Sequence, residues 1–139
     1  VIANTVELEG SIRSLDEDMR DLVQERLHQV AEGTAAANQC EVTIEYERGY
    51  PITDNNEEAT QHAISVASSV SEVDTDTPPI MPSEDFAYML MEKPGAFIFL
   101  GNGDSQMLHN PEYIFDDEAI PFGSSWYAGM VEERLPITG

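Results

Sequence analysis

Residues 5–47 read TVELEGSIRSLDEDMRDLVQERLHQVAEGTAAANQCEVTIEYE, and two changes of hydrophobic period inside this stretch set the expected fold. In residues 5–13, Val6, Leu8 and Ile12 share one face while Glu7, Glu9, Ser11 and Arg13 share the other; this alternation predicts a half-buried strand. Ser14 and Glu17 then stand at capping-box spacing, and Asp16, Glu17 and Asp18 place negative charge where a helix N-terminus is positive. Leu15, Met19, Leu22, Val23, Leu27, Val30 and Ala31 follow at spacings of three and four, which predicts one long amphipathic helix ending near Asn38. Alternation returns in residues 41–47, with Val42, Ile44 and Tyr46 opposed to Glu41, Thr43, Glu45 and Glu47. The expected unit is strand, helix, strand.

Working outward, Gly49-Tyr50-Pro51 interrupts this unit and marks the domain boundary, giving units of residues 1–48 and 49–139. Asp54 and Glu57 repeat the capping spacing ahead of Ala59, Ala63, Val66, Ala67 and Val70, a second amphipathic helix. Residues 74–82 carry Pro78, Pro79 and Pro82 and are excluded from regular helix. Ser83 is expected to cap a short helix through Phe86, Ala87 and Leu90. The apolar run 96–100, bounded by Gly95 and Gly101, fits a strand covered on both faces. After a polar loop, a last helix is expected to carry Phe122, Trp126, Met130 and Val131 against that sheet. The fold class is therefore α/β.

Composition excludes several function classes. Six basic and 27 acidic residues give a net charge of −21 on 139 residues. With Lys93 as the single lysine, the clustered cations that phosphate or anionic lipid would require are missing, so neither nucleic acid nor a membrane surface is an expected partner. Five Phe, five Tyr and one Trp argue against an acidic disordered tail. No apolar run approaches the roughly 20 residues needed to span a bilayer. Val1 opens without a signal-type leader, and Cys40 is alone, so a reducing, cytoplasmic setting is expected. The acids fall on polar strand faces, first helical turns and loops, a surface that suits a marine or salt-adapted host, where ions screen the self-repulsion. The closing string Leu135-Pro136-Ile137-Thr138-Gly139 matches a sortase-type pattern and is read as coincidence.

Three groups of residues could carry chemistry. His28 and His62 lie within predicted helices and read as structural or solvated. His109 lies in the loop at the carboxyl side of the apolar run, where open α/β sheets place their sites; it is either a metal ligand oriented through its second ring nitrogen or a loop histidine bonded to a carbonyl. Ser83-Glu84-Asp85 is either a helix cap with two acids in the first turn or a polar edge to a substrate or metal. Asp116-Asp117-Glu118 poses the same choice, with a helix start favoured. Arg13 could pair with neighbouring glutamates or reach an anionic substrate group.

The segments VIANTVELEGSIRSLDEDMRDLVQERLHQVAEGTAAA, EVTIEYERGYP, PSEDFAYMLMEKPGAFIFLGNGD and LHNPEYIFDDEAIPFG, in this order, resemble the C-terminal third of the amidohydrolase family. That family comprises hippurate hydrolases, N-acyl-amino-acid amidohydrolases and auxin-conjugate hydrolases among the co-catalytic metallopeptidases. The resemblance implies a parent enzyme that cleaves the amide bond of N-acyl amino acids or small peptide-like substrates with metal-activated water. It further implies two divalent ions per full-length subunit (Zn, Mn or Co), and a homodimer formed through a ferredoxin-like satellite domain. Residues 1–48 would be the second half of that satellite domain, and residues 49–139 the C-terminal part of the catalytic domain.

On this template His109 matches the histidine of the family's LHNP motif, its last metal ligand, while Ser83, Glu84, Asp85 and Arg13 are candidates for the substrate side. The family's Cys-x-His pair, its Glu-Glu pair containing the general base, and a further ligand histidine belong to an N-terminal part outside these residues. A catalytic metal needs about three protein ligands, so the chain alone is expected to be inactive; a non-catalytic association module is the rival reading. Cys40 does not match the ligand cysteine and is expected to pack as a small apolar side chain. Pro82 stands where the family usually has glycine, which fixes the backbone beside Ser83.

Overall fold

The computed structural model describes residues 2–136; Val1 and residues 137–139, and with them the first residue of the sequence and the end of its LPITG string, lie outside the described residues. Four helices occur in order: α1 (Glu17–Ala37), α2 (Glu57–Val70), α3 (Phe86–Glu92) and α4 (Ala119–Arg134). The contacts divide the chain into two compact units. One holds the residues up to Ile52 together with Pro79–Glu84, and the other holds Thr53–Pro78 and the residues from Asp85 onward. No strand forms among the described residues. A strand closes its hydrogen bonds only with a neighbour, so the alternating segments 5–13 and 41–47 state a preference that a ladder has to complete.

In the first unit, α1 begins and ends where its pattern predicts, but its cap differs. Asp16, extended at φ −149°, is the N-cap, and its side chain accepts from the Met19 amide at 2.8 Å. Ser14 instead donates to the Asp16 carbonyl at 2.9 Å. Either oxygen could serve; the residue two positions closer to the helix has the better reach to the third amide. Asn38 closes the helix, and its side-chain amide donates to the Thr34 carbonyl. Arg48 returns to the first two turns of α1, bonding Glu17 at 2.6 Å and also Asp21, while Arg20 bonds Glu17 at 3.3 Å and the Gly49 carbonyl at 2.9 Å. The Arg48 hydrogen bond is the main cause holding the Glu17 carboxyl below its ordinary range, and the Asp21 and Glu17 hydrogen bonds raise Arg48. Cys40 is exposed, with its thiol directed at the Asn38 carbonyl, so the apolar packing expected of it is not formed in this unit.

The second unit is built on the pairing of α2 with α4. Asn56, not Asp54, caps α2 by accepting from the Ala59 amide at 3.0 Å. Ala63 and Val66 are buried at the contact, and Gly129 of α4 lets the two helices approach so closely that a Cβ there would lie 2.7 Å from Val66 Cγ1. The Trp126 indole N–H donates to the Ala63 carbonyl at 3.1 Å. His62 joins the same pair of helices, with Nδ1 2.8 Å from the Glu133 carboxylate, which is a structural use of the ring.

The apolar run 96–100 lies among these elements. Asn55 spans Phe97 with both ends of its amide, accepting from the Phe97 N–H at 2.7 Å and donating to the Phe97 carbonyl at 2.9 Å. The Phe86 ring of α3 lies tilted against the Phe97 ring at a centroid distance of 5.8 Å, and Phe99 meets Phe97 edge-to-face at 5.3 Å. A Cβ on Gly123 of α4 would meet Leu100 at 3.2 Å. One sequence expectation for a helix start changes here. Asp85, in helical conformation and without a capping bond, occupies the cap position of α3, so Ser83 does not cap it. Helix α4 starts at Ala119 and takes Pro121 into its first turn, where a missing N–H costs no hydrogen bond.

Candidate functional site

The loop between the apolar run and α4 is organised by short polar side chains. Asn102 stands at its neck: the side-chain N–H donates to the Ile114 carbonyl at 2.7 Å, and the side-chain oxygen accepts from the Asp116 amide at 2.8 Å. Ser105 Oγ accepts from the Ile114 amide at 3.0 Å. Gly103 follows Asn102 with φ +73°, a left-handed conformation that lets the chain turn away at once. Asp116 ties the neck to α4, because its carbonyl accepts from the Ala119 amide and its side chain from the Glu118 amide. The acidic triplet 116–118 thus acts as a helix start.

His109 is carried at the far side of this loop by two consecutive turns. The Asn110 amide donates to the Met107 carbonyl at 3.1 Å, closing a turn whose third residue is His109 at φ +68°. Histidine is among the non-glycine residues that tolerate this region, and the second central position of such a turn requires it. Pro111 then occupies the second position of the next turn, closed by the Tyr113 amide on the Asn110 carbonyl at 2.9 Å, and the Asn110 side chain accepts from the Glu112 amide at 2.8 Å. The His109 side chain is exposed, and its ring takes part in no hydrogen bond or ion pair among the described residues. Of the two readings of this histidine, the bond to a carbonyl is therefore not made.

The other candidates are distributed between the units. In the first, Arg13 Nη1 donates to the Met81 carbonyl and lies 3.5 Å from Ser83 Oγ, a contact across 70 positions of sequence. Glu84 belongs to the same unit, whereas Asp85 belongs to the second. Arg13 thus contacts the proline-rich segment. Among the described residues no group of three or more His, Cys, Asp or Glu side chains is placed to hold a metal ion. His109 offers one nitrogen donor of the type that suits a transition metal, and a metal there would draw its remaining ligands from beyond these residues. The residues that sequence reasoning missed are Asn102 and Ser105; two glycines flanking an asparagine announce a turn, but not the partner its side chain takes.

Comparison with known proteins gives concordant results. The model of peptidase family M20/M25/M40 matches residues 5–133. The hippurate hydrolase of Campylobacter jejuni is 33% identical over 138 residues, covering 97% of this chain and 36% of that protein. N-acetyldiaminopimelate deacetylases of Pediococcus pentosaceus and Streptococcus suis are 34% and 37% identical, over 97% and 88% of this chain and 36% and 33% of those proteins. The chain spans about a third of the length of these relatives. No solved structure matches it, and no helix among the described residues is long and apolar enough to cross a membrane.

Proposed function

Because the chain belongs to peptidase family M20/M25/M40, we propose that it is the C-terminal part of a metal-dependent amidohydrolase acting on the amide bond of N-acyl amino acids or small peptide-like substrates. The reading is supported by the two relatives named for such reactions, a hippurate hydrolase and an N-acetyldiaminopimelate deacetylase. In that setting residues 1–48 form the second half of a ferredoxin-like satellite domain, residues 49–139 belong to the α/β catalytic domain, and the enzyme works in the cytoplasm. The satellite half would carry association into a homodimer; Val6 and Leu8, 79% and 93% exposed, lie on the apolar face of the segment that such a contact would use.

The observation that carries the reading to a residue is the turn that presents His109. Its neutral imidazole would supply one ligand to one of two divalent ions, Zn, Mn or Co, each of which accepts imidazole nitrogen. Such a metal, when bound, lowers the pKa of water and polarises an amide carbonyl. The two turns fix the backbone that carries the ring, and the bonds of Asn102 and Ser105 tie the ends of the loop that holds the turns. Arg13 and Ser83, already in contact, together with Glu84 and Asp85, are the side chains of this chain proposed to face the substrate. The general base is not among these residues, so the 139-residue chain alone is inactive. His109→Ala in the full-length protein is expected to remove one metal equivalent and most hydrolysis. Unchanged metal content and turnover in that variant would refute the assignment.

A further inference from the structure

We propose that Asn102 is a positioning residue for His109, with Ser105 as its auxiliary; the inference rests on the reading of His109 as a metal ligand. The loop from 103 to 113 contains two turns and no helix, and none of its residues is buried, Ser105 and Tyr113 being half-buried. Its rigidity therefore depends on how its ends are joined. Asn102 joins them with one donor and one acceptor held in a single plane, taking a carbonyl and an amide two residues apart on the returning chain, at Ile114 and Asp116. Ser105 adds the Ile114 amide. Together the three bonds satisfy the backbone of the returning segment as a neighbouring strand would, and Asp116 passes the registration on to α4 through Ala119 and Glu118.

Only an amide of this length fits the task. Aspartate keeps the acceptor and loses the donor, so the Ile114 carbonyl would face a carboxylate; alanine loses both. A ligand on a loop with a loose neck samples many directions, and ordering it must be done by the metal at the cost of affinity. Groups hydrogen-bonded directly to a metal ligand typically change metal affinity by about ten- to a hundredfold; Asn102 acts at one remove, through the backbone of the loop, so its effect should lie at or below the lower end of that range.

The experiment uses the full-length protein stripped of metal and titrated with Co2+, comparing wild type with Asn102→Ala, Asn102→Asp, Ser105→Ala and His109→Ala. Amide hydrogen exchange at Ile114 and Asp116, and the unfolding midpoint of the metal-free protein, are followed in parallel. The expected result is that both Asn102 variants bind Co2+ several-fold to about tenfold more weakly at the site that His109→Ala abolishes. The visible absorption of the bound Co2+ should be altered, exchange should be faster at the Asp116 amide in Asn102→Ala, which loses that amide's acceptor, and at the Ile114 amide in Ser105→Ala, and the metal-free midpoint should stay near that of wild type. Ser105→Ala should show the same pattern with a several-fold effect, and it serves as the deciding variant if the Asn102 substitutions fail to fold. Wild-type Co2+ affinity in the folded neck variants, with one equivalent lost in His109→Ala, overturns the role of Asn102 alone. Full Co2+ binding by His109→Ala overturns the reading of His109 and this inference with it.

Discussion

Replacing Gly129 by alanine sets two effects of known sign against each other. A Cβ at this position would lie 2.7 Å from Val66 Cγ1, roughly 1 Å inside the ~3.5–4.0 Å at which carbon atoms attract. Val66 is 5% exposed and β-branched within α2, where one rotamer is strongly preferred, so the overlap has to be relieved by moving α4. Overpacking of this kind costs about 1–3 kcal/mol. Removing glycine from a helix interior returns about 1 kcal/mol. Gly129→Ala should therefore range from nearly neutral to about 2 kcal/mol destabilising. Val66→Ala alone should cost about 1.5 kcal/mol through two lost methyl groups. In the double variant the overlap is gone and the helical gain survives, so the cycle should show a favourable coupling of about 1–3 kcal/mol. Urea unfolding of the four proteins, followed by the fluorescence of the single Trp126, which bonds Ala63 at the same contact, measures it. Stabilisation by the full helical gain in Gly129→Ala, with additive energies in the double variant, would show that the helices do not approach as described.

Three further outcomes follow from the same geometry. Arg48 holds the Glu17 carboxyl below its ordinary range, so the stability it contributes is present above the unfolded carboxylate pKa and is lost as pH falls through the lower folded value. Glu17→Gln should flatten that acid limb in dilute buffer, and molar salt should erase much of the difference because the pair is exposed; identical acid limbs would contradict it. With a net charge of −21, the thermal midpoint should rise with added salt as self-repulsion is screened, and equal midpoints in dilute buffer and molar salt would count against a salt-adapted surface. Gly103→Ala should lower stability by about 1–2 kcal/mol in urea titrations, the approximate penalty for a Cβ in left-handed backbone, although its Cβ would meet the Asp116 carboxylate only at an ordinary 3.5 Å.

The helices were legible because their signals are local. The stripe from Leu15 to Ala31 and the acids at 16–18 predict α1 nearly to the residue, since a helix closes its hydrogen bonds within itself and needs only a cap and one apolar face. The caps were less legible. Ser14, Asp54 and Ser83 each had the right chemistry, yet Asp16 and Asn56 took the role for α1 and α2, and α3 starts without any side-chain cap. Capping oxygens lie in runs of similar residues, and the winner depends on where the backbone leaves the extended region. His109 was picked out by its loop context and the LHNP resemblance. The contact of Arg13 with Ser83 and Met81 spans about half the chain, and no periodicity encodes a contact at that separation.

Asparagine is where sequence and structure diverge in kind. Asn55, Asn56, Asn102 and Asn110 all stand in stretches whose composition reads as turn or cap, and Asn56 and Asn110 behave accordingly. Asn55 and Asn102 do something else. Each presents its amide to a distant backbone segment, donor to carbonyl and acceptor to N–H, at Phe97 in one case and at Ile114 and Asp116 in the other. A single side chain thereby supplies the pair of bonds that a strand neighbour would supply, in a unit whose described residues form no strand. Asn55 thereby holds the apolar run 96–100 at Phe97, and Asn102 holds the returning segment 114–116. The difference separates the two kinds of asparagine by test: removing the amide of Asn56 should loosen the first turn of α2, whereas removing that of Asn55 should raise exchange at the Phe97 amide, 42 positions away, and leave α2 protected.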